Sequence, residues 1–221
     1  MRENRLDARL DELVERYPDL VTCRLAIRDT FLALREVFHR GGKLLVCGNG
    51  GSAADSEHIS GELMKGFLLS RPIPHGRQAK LAETYTDGAA VAGRLQGALP
   101  CISLASNAAL ISAITNDIGG DMVYAQQVYG YGNPGDALLG ISTSGNAASV
   151  CQALKVARVS QLRTIGLSSG DGGAMAELCD VLIAVDQATT ADTQERHLPI
   201  YHTLCALLEE EFFGPHESEM S

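Results

Sequence analysis

The sequence has no apolar run approaching the ~20 residues that span a bilayer, no cysteine pair in CxxC spacing, and no excess of basic charge. The first absence argues against a transmembrane helix. The second leaves six scattered cysteines (Cys23, Cys47, Cys101, Cys151, Cys179 and Cys205), which read as free, buried, reduced thiols of a cytoplasmic protein rather than a disulfide framework. The third argues against a non-specific nucleic-acid surface, which needs a basic patch; here 18 Lys and Arg face 27 Asp and Glu, a net charge of −9. An acidic protein that holds a phosphate must draw its positive potential from backbone dipoles or a few basic side chains. The first residues, MRENRLDARLDELVERY, are charged and helical in period and lack the apolar stretch of a signal peptide. Internal repeats and low-complexity tracts are also missing, as are a GxGxxG fingerprint and a P-loop.

What is present is an ordinary globular composition, 45% apolar over 221 residues, enough to bury a full core without staples. Two helices are expected between Arg5 and Arg40, broken near Tyr17-Pro18-Asp19 and stopped at Gly41-Gly42. Five short apolar runs read as buried strands: Lys43–Cys47, Pro100–Leu104, Ala137–Ser142, Arg163–Leu167 and Val181–Val185. Helices are expected between them, at Ala53–Leu68, Ala108–Ile114, Asp121–Gly130, Ala147–Arg158 and Ala174–Leu178, with a turn at Asn116-Asp117. A last helix from Thr193 to Phe213 contains Pro199, which should kink it or mark a late start. Short strands alternating with helices mean a parallel sheet covered on both faces. The expectation is one α/β domain over residues 1–221. Helices at 1–40 precede a doubly wound five-stranded core at 41–213, which carries a basic, glycine-punctuated inserted segment at 71–100, helical in part between Ala79 and Gln96.

Two strand-to-helix turns suit an anion. Gly48-Asn49-Gly50-Gly51-Ser52 lets the backbone take positive φ and opens a helix whose first N–H groups are unpaired. Ser142-Thr143-Ser144-Gly145 puts three hydroxyls in a row before a helix, where a cap needs only one. In open α/β sheets ligands bind beyond the carboxyl ends of the strands, the edge on which both turns lie. Two polar pairs add titratable chemistry. His58 and Glu62 are four apart, on one helical face. Gln194 and His202 are eight apart, about 80° around a regular helix. His197 competes with His202, and Glu57 and Glu195 with Glu62.

The segments CGNGGSAADSEHISGEL (47–63), ISTSGN (141–146), SSGDGGAMAELCDVLIAV (168–185) and TQERHLPIYH (193–202) resemble, in this order, the sugar isomerase (SIS) domain of phosphoheptose isomerases. The likeness covers about residues 25–70 and 101–212. It implies a doubly wound SIS fold, assembled as a homotetramer with sites at subunit interfaces, that converts sedoheptulose 7-phosphate to D-glycero-D-manno-heptose 7-phosphate. It implies Glu62 as the catalytic base and His202 as its acid/base partner. His58, Glu62, Gln194 and His202 match the residues that hold zinc in metal-bearing members, and Ser142, Thr143 and Ser144 match the phosphate cradle. Substrate contacts are further implied for Asn49, Gly50, Gly51, Ser52, Asn107, Asn116, Asp117 and Gln194.

This chain departs from the family's pattern at Ala147, where a serine usually follows the asparagine; at Asn107, where some members have aspartate; at Lys65-Gly66, where an arginine is common; and in the length of 71–100. Three other readings stay open at this point: an isomerase of another sugar phosphate, a non-catalytic SIS module that binds a replication initiator, and a sugar-phosphate sensor.

Overall fold

In the computed structural model, residues 3–215 are described; the ends of the expected 1–221 span lie outside them. The chain opens with α1 (Glu3–Arg16), a 3-10 stretch (Pro18–Cys23) and α2 (Arg24–His39), the expected hairpin. Leu6, Leu10 and Leu13 of α1 and Ile27, Phe31 and Leu34 of α2 are buried, the helical-period stripe that packs the pair onto the rest of the chain. Gly41 ends α2 at φ +78°, with Gly42 N–H donating to the Val37 carbonyl, a left-handed helix stop that a side chain would strain.

Five strands follow, β1 (Leu44–Gly48), β2 (Cys101–Ser103), β3 (Ala137–Ile141), β4 (Arg163–Ser169) and β5 (Val181–Val185), all parallel in the order β2-β1-β3-β4-β5. β1 and β3 are buried along their whole length, which is why they read as unbroken apolar runs. One face is covered by α1, α2, α3 (Gly51–Met64) and α9 (Thr190–Phe213), the other by α6 (Ala108–Asp117), α7 (Val123–Tyr131) and α8 (Ala148–Val159), each over its own core cluster. The chain leaves β1 toward β2 on one side and returns to β3 on the other. The carboxyl ends of β1 and β3 therefore flank a topological switch point, the crevice where such sheets bind ligands.

Several boundaries differ from the expectation. α3 runs from Gly51 only to Met64, because Lys65 is extended (φ −142°, ψ 176°) and the chain turns away to meet a buried carboxylate described below. Asn116 and Asp117 are not a turn but the last residues of α6; the chain turns at Gly119, at φ +139°. A 3-10 turn (Gly120–Met122) precedes α7, and another (Gly173–Met175) replaces the short helix expected at Ala174–Leu178. Pro199 neither starts nor ends α9, which begins at Thr190 with Thr189 Oγ1 accepting from the Asp192 N–H (3.1 Å). Residues 71–100 hold two helices, α4 (His75–Thr84) and α5 (Gly88–Ala92), rather than one stretch from Ala79 to Gln96. Gly88 permits the close return: a Cβ there would stand 1.8 Å from the Leu81 carbonyl oxygen. This arm is closed at its base, where Pro72 bridges Gln96 and Gly97 N–H donates to the Arg71 carbonyl (2.6 Å).

Candidate active site

The first turn leaves β1 and enters α3 through Gly50, which adopts φ +57° and ψ −122°. Asn49 ties it down: Asn49 Nδ2 donates to Ser149 Oγ on α8 (3.0 Å), and the Tyr124 hydroxyl meets both the Gly48 carbonyl and Asn49 Oδ1 (3.2 Å). Asn49, Gly50 and Gly51 are exposed, whereas Ser52 is turned inward and buried. Gln194, from α9, lies over the turn: a Cβ on Gly51 would come within 2.5 Å of Gln194 Nε2. Ser149 and Tyr124 were missed by sequence reasoning. Ser149 sits two residues beyond the place where a serine was expected, and nothing local marks Tyr124.

The second turn, 142–146, passes Gly145 at φ +66°, where a Cβ would stand 1.9 Å from the Gly172 carbonyl oxygen, so only glycine fits. Ser142 is buried, with its Oγ accepting from the Ala147 N–H (3.4 Å) in a long bond, while Thr143 is half-buried and Ser144 exposed. Ser169 Oγ donates to the Thr143 carbonyl (2.7 Å), securing the loop to β4. Ser144 thus keeps an exposed hydroxyl at the mouth of the crevice, next to the N-terminus of α8.

His58, Glu62 and His202 converge, while Gln194 lies over the Gly51 turn. His58 Nε2 is 3.2 Å from Glu62 Oε1 within α3, and 3.4 Å from His202 Nε2 on α9. The His58 and His202 rings meet edge to face with centroids 4.9 Å apart, and Phe67 closes over His202 at 5.5 Å. Lys65 Nζ lies 3.3 Å from Glu62 Oε2, a cation where the family's pattern has an arginine nearby. Burial and the neighbouring His58 lower the His202 pKa, against the opposing pull of Glu62, and so favour the neutral ring. His197 faces the core instead: fully buried, with its ring Nε2 3.2 Å from the Ser168 carbonyl, it is held down at a pKa of about 4 by desolvation. The helix thus separates the two competitors, sending His202 to the crevice and His197 inward. Glu57 and Glu195 are exposed.

The other expected contacts bond locally, at the start and end of α6. Asn107 Oδ1 caps α6 by accepting from Leu110 N–H (3.1 Å). Asn116 and Asp117 are exposed and bond to each other (2.7 Å).

His58, Glu62 and His202 stand at spacings that bear on a metal, with Gln194 as the fourth expected donor. With metal–ligand distances near 2.0–2.1 Å, neighbouring ligands of a tetrahedral zinc stand about 3.3 Å apart, and the two measured separations, 3.2 and 3.4 Å, fit pairwise. Among the described residues no group of three or more His, Cys, Asp and Glu is arranged to hold a metal ion outright. The set is short of a closed cage, and its fourth donor is an amide. Imidazole, carboxylate and amide are nonetheless donors that zinc accepts.

Buried beneath this cluster is a second ion pair. Arg71 and Glu209 are both fully buried, 2.7 Å apart. Arg71 also donates to the carbonyls of Glu62 (2.9 Å) and Leu63 (2.8 Å), while Glu209 accepts from the backbone N–H groups of Phe67, Leu68 and Leu69. The pair fixes the C-terminal end of α3, and with it the residue that carries the carboxylate. Its partners are 138 residues apart in the chain, which hid it from sequence reasoning.

Parallel strands in this order, a hydroxyl-rich turn at the switch point and an adjacent His–Glu–His cluster define a sugar-isomerase-type α/β protein, and the family model for the SIS domain matches residues 76–169. The chain belongs to the phosphoheptose isomerase family. It is 39% identical over 181 residues to the phosphoheptose isomerase of Trichlorobacter lovleyi, covering 82% of this chain and 80% of that one. With the phosphoheptose isomerase of Nitratidesulfovibrio vulgaris (Hildenborough) the identity is 41%, covering 79% and 72%. The solved phosphoheptose isomerase of Neisseria gonorrhoeae superposes with a TM-score of 0.69 at 30% identity, covering 92% of each chain.

Proposed function

We propose that the protein interconverts a ketose and an aldose phosphate, sedoheptulose 7-phosphate to D-glycero-D-manno-heptose 7-phosphate, with Glu62 and His202 as its acid–base pair. The observation that carries this reading is the convergence of Glu62 and His202 on His58 at 3.2 and 3.4 Å. Isomerisation moves a proton between adjacent carbons. Glu62 removes the proton from the carbon beside the carbonyl, leaving an enediolate, and returns it to the neighbouring carbon. His202 relays the oxygen-bound proton. Its ring accepts a proton from one hydroxyl and gives it to the other oxygen, so charge and atoms balance over the cycle. Ser142, Thr143 and Ser144, with the N-terminus of α8, hold the far phosphate. Asn49, Gly50, Gly51, Ser52, Asn107, Asn116, Asp117 and Gln194 are the sugar contacts implied by family resemblance.

His58, Glu62, Gln194 and His202 would hold zinc, which when bound supplies a Lewis acid for the carbonyl. Glu62's two roles compete, since a carboxylate given to a cation loses basicity. Assembly as a homotetramer with sites at subunit interfaces fits the open groove of about 610 Å³ between α1 and α9, lined by Tyr17, Phe67, Leu198 and His202, and the exposed Met64 and Leu68 beside it. The six unpaired cysteines suit the cytoplasm.

The test is NMR of ketose and aldose phosphates with the metal-replete protein in D2O, following deuterium uptake next to the carbonyl. Wild type should form the aldose, and Glu62→Gln and His202→Ala should lose ~10²–10⁴-fold in rate. Absence of turnover and exchange on every heptose and pentose phosphate would overturn the reading.

A further inference from the structure

His58 is the hub of the cluster, and behind it stand two residues that neither the resemblance nor the acid–base reading uses. The Tyr201 hydroxyl lies 3.2 Å from Asp55 Oδ1 and 3.1 Å from His58 Nδ1. Tyr201 is 2% exposed, and Asp55 Oδ2 is cut off from solvent and without a partner. A tyrosine has one hydroxyl proton, and Asp55 as a carboxylate only accepts; burial raises the Asp55 pKa, and the Tyr201 hydrogen bond and the neighbouring His58 oppose that rise. The proton therefore goes to Asp55, and the tyrosine oxygen must accept from His58. That places the ring proton of His58 on Nδ1 and leaves a lone pair on Nε2. This lone pair looks at Glu62 Oε1 across 3.2 Å, two acceptors face to face, with His202 Nε2 at 3.4 Å. Two facing acceptors repel each other, and a cation placed between them turns that repulsion into attraction.

We propose that Asp55 and Tyr201 are positioning residues that lock His58 in its Nδ1–H tautomer, so that Nε2 presents a lone pair to the space shared with Glu62 and His202 and makes that space a cation site. This deepens the metal reading above and rests on it. A ligating histidine generally donates its other ring N–H to a partner that fixes the ring and raises its basicity; here the partner is a phenol, itself oriented by a carboxylate. The three residues lie on two helices, Asp55 and His58 one turn apart on α3 and Tyr201 on α9. The relay therefore forms only when α3 and α9 are docked.

The test reads the tautomer directly, by two-bond 15N–1H correlation of the histidine rings in metal-stripped full-length protein at a pH where the rings are neutral. Wild-type His58 should show a protonated Nδ1 and a bare Nε2. Asp55→Leu keeps the size of the side chain but frees the Tyr201 proton for His58 Nδ1, and should invert the tautomer. Tyr201→Phe should remove the preference. In competition with a chromophoric chelator, both variants should bind zinc 10–100-fold more weakly than wild type. An Nε2–H wild-type ring, an Asp55→Leu variant that keeps the wild-type tautomer, or zinc affinity within twofold of wild type in that variant would each overturn the proposal. Sugar turnover is not a readout, so a protein inactive on sedoheptulose 7-phosphate but with the inverted tautomer would refute the heptose reading and leave the relay standing. A protein active on it with no inversion would do the reverse.

Discussion

Replacing Arg71 with leucine should unfold the protein's most demanding contact. Both side chains of the Arg71–Glu209 pair are 0% exposed, so the variant leaves a carboxylate in the core without its counter-ion. Breaking a buried pair from one side costs about 3–5 kcal/mol, a large share of the ~5–15 kcal/mol that holds a domain together. The carbonyls of Glu62 and Leu63 lose their donors as well. Part of the cost is recoverable. In the double variant Arg71→Leu/Glu209→Leu no buried charge remains. The double variant should therefore be less destabilised than the sum of the two single ones, by more than the ~0.5 kcal/mol within which independent sites add. Urea unfolding of the four proteins at pH 7 measures this. Strict additivity, or an Arg71→Leu variant within about 1 kcal/mol of wild type, would refute the claim that the pair is dry and coupled. Because Arg71 grips the carbonyl of Glu62, any folded fraction should also turn over more slowly.

His197 gives stability a pH dependence of known sign. Its folded pKa of about 4 lies below 6.5, so between these values the unfolded chain binds more protons, and stability falls as pH drops from 6.5 toward 4. The loss reaches roughly 3 kcal/mol at most, and urea midpoints at pH 7 and 4.5 should show it shrinking in His197→Leu. Burial raises the Glu209 pKa, but the N–H groups of Phe67 and Leu68 and the Arg71 ion pair outweigh it and lower the pKa, so stability is also lost as pH falls below about 4.5, a loss that Glu209→Gln should abolish. Gly145→Ala, with its added Cβ 1.9 Å from a carbonyl oxygen and a strained φ, should distort the hydroxyl turn and raise KM for the sugar phosphate by tenfold or more. Ala147→Ser restores the family's hydroxyl and should lower KM with kcat little changed; an unchanged KM would remove residue 147 from the phosphate contacts.

The strands were legible because a parallel strand buried on both faces leaves an apolar run between glycines, and β1 and β3 are of that kind. The two turns were legible because their residue types fit few other purposes. The boundaries that escaped were set at long range. Nothing local stops the helical pattern at Met64; the chain leaves it because Glu209 draws in the N–H groups of 67–69. Gly88 looked like a helix-weakening residue but is a point of close packing against α4. Within the site, His58, Glu62 and His202 were visible as pairs at helical spacing. Asp55, Tyr201 and Ser149 were not, since their importance lies in hydrogen bonds that cross from one element to another.

The arm that carries α4 and α5 leaves the body at Arg71 and comes back at Gly97, and the two backbones clasp each other at the point of departure. A loop that begins and ends at one address is free to change length without re-routing the sheet. Trimming residues 74–94 to a short hairpin should leave the doubly wound frame intact, and inserting sequence there should cost only the slow logarithmic entropy of a longer excursion. That anchoring suits the arm to carry a graft.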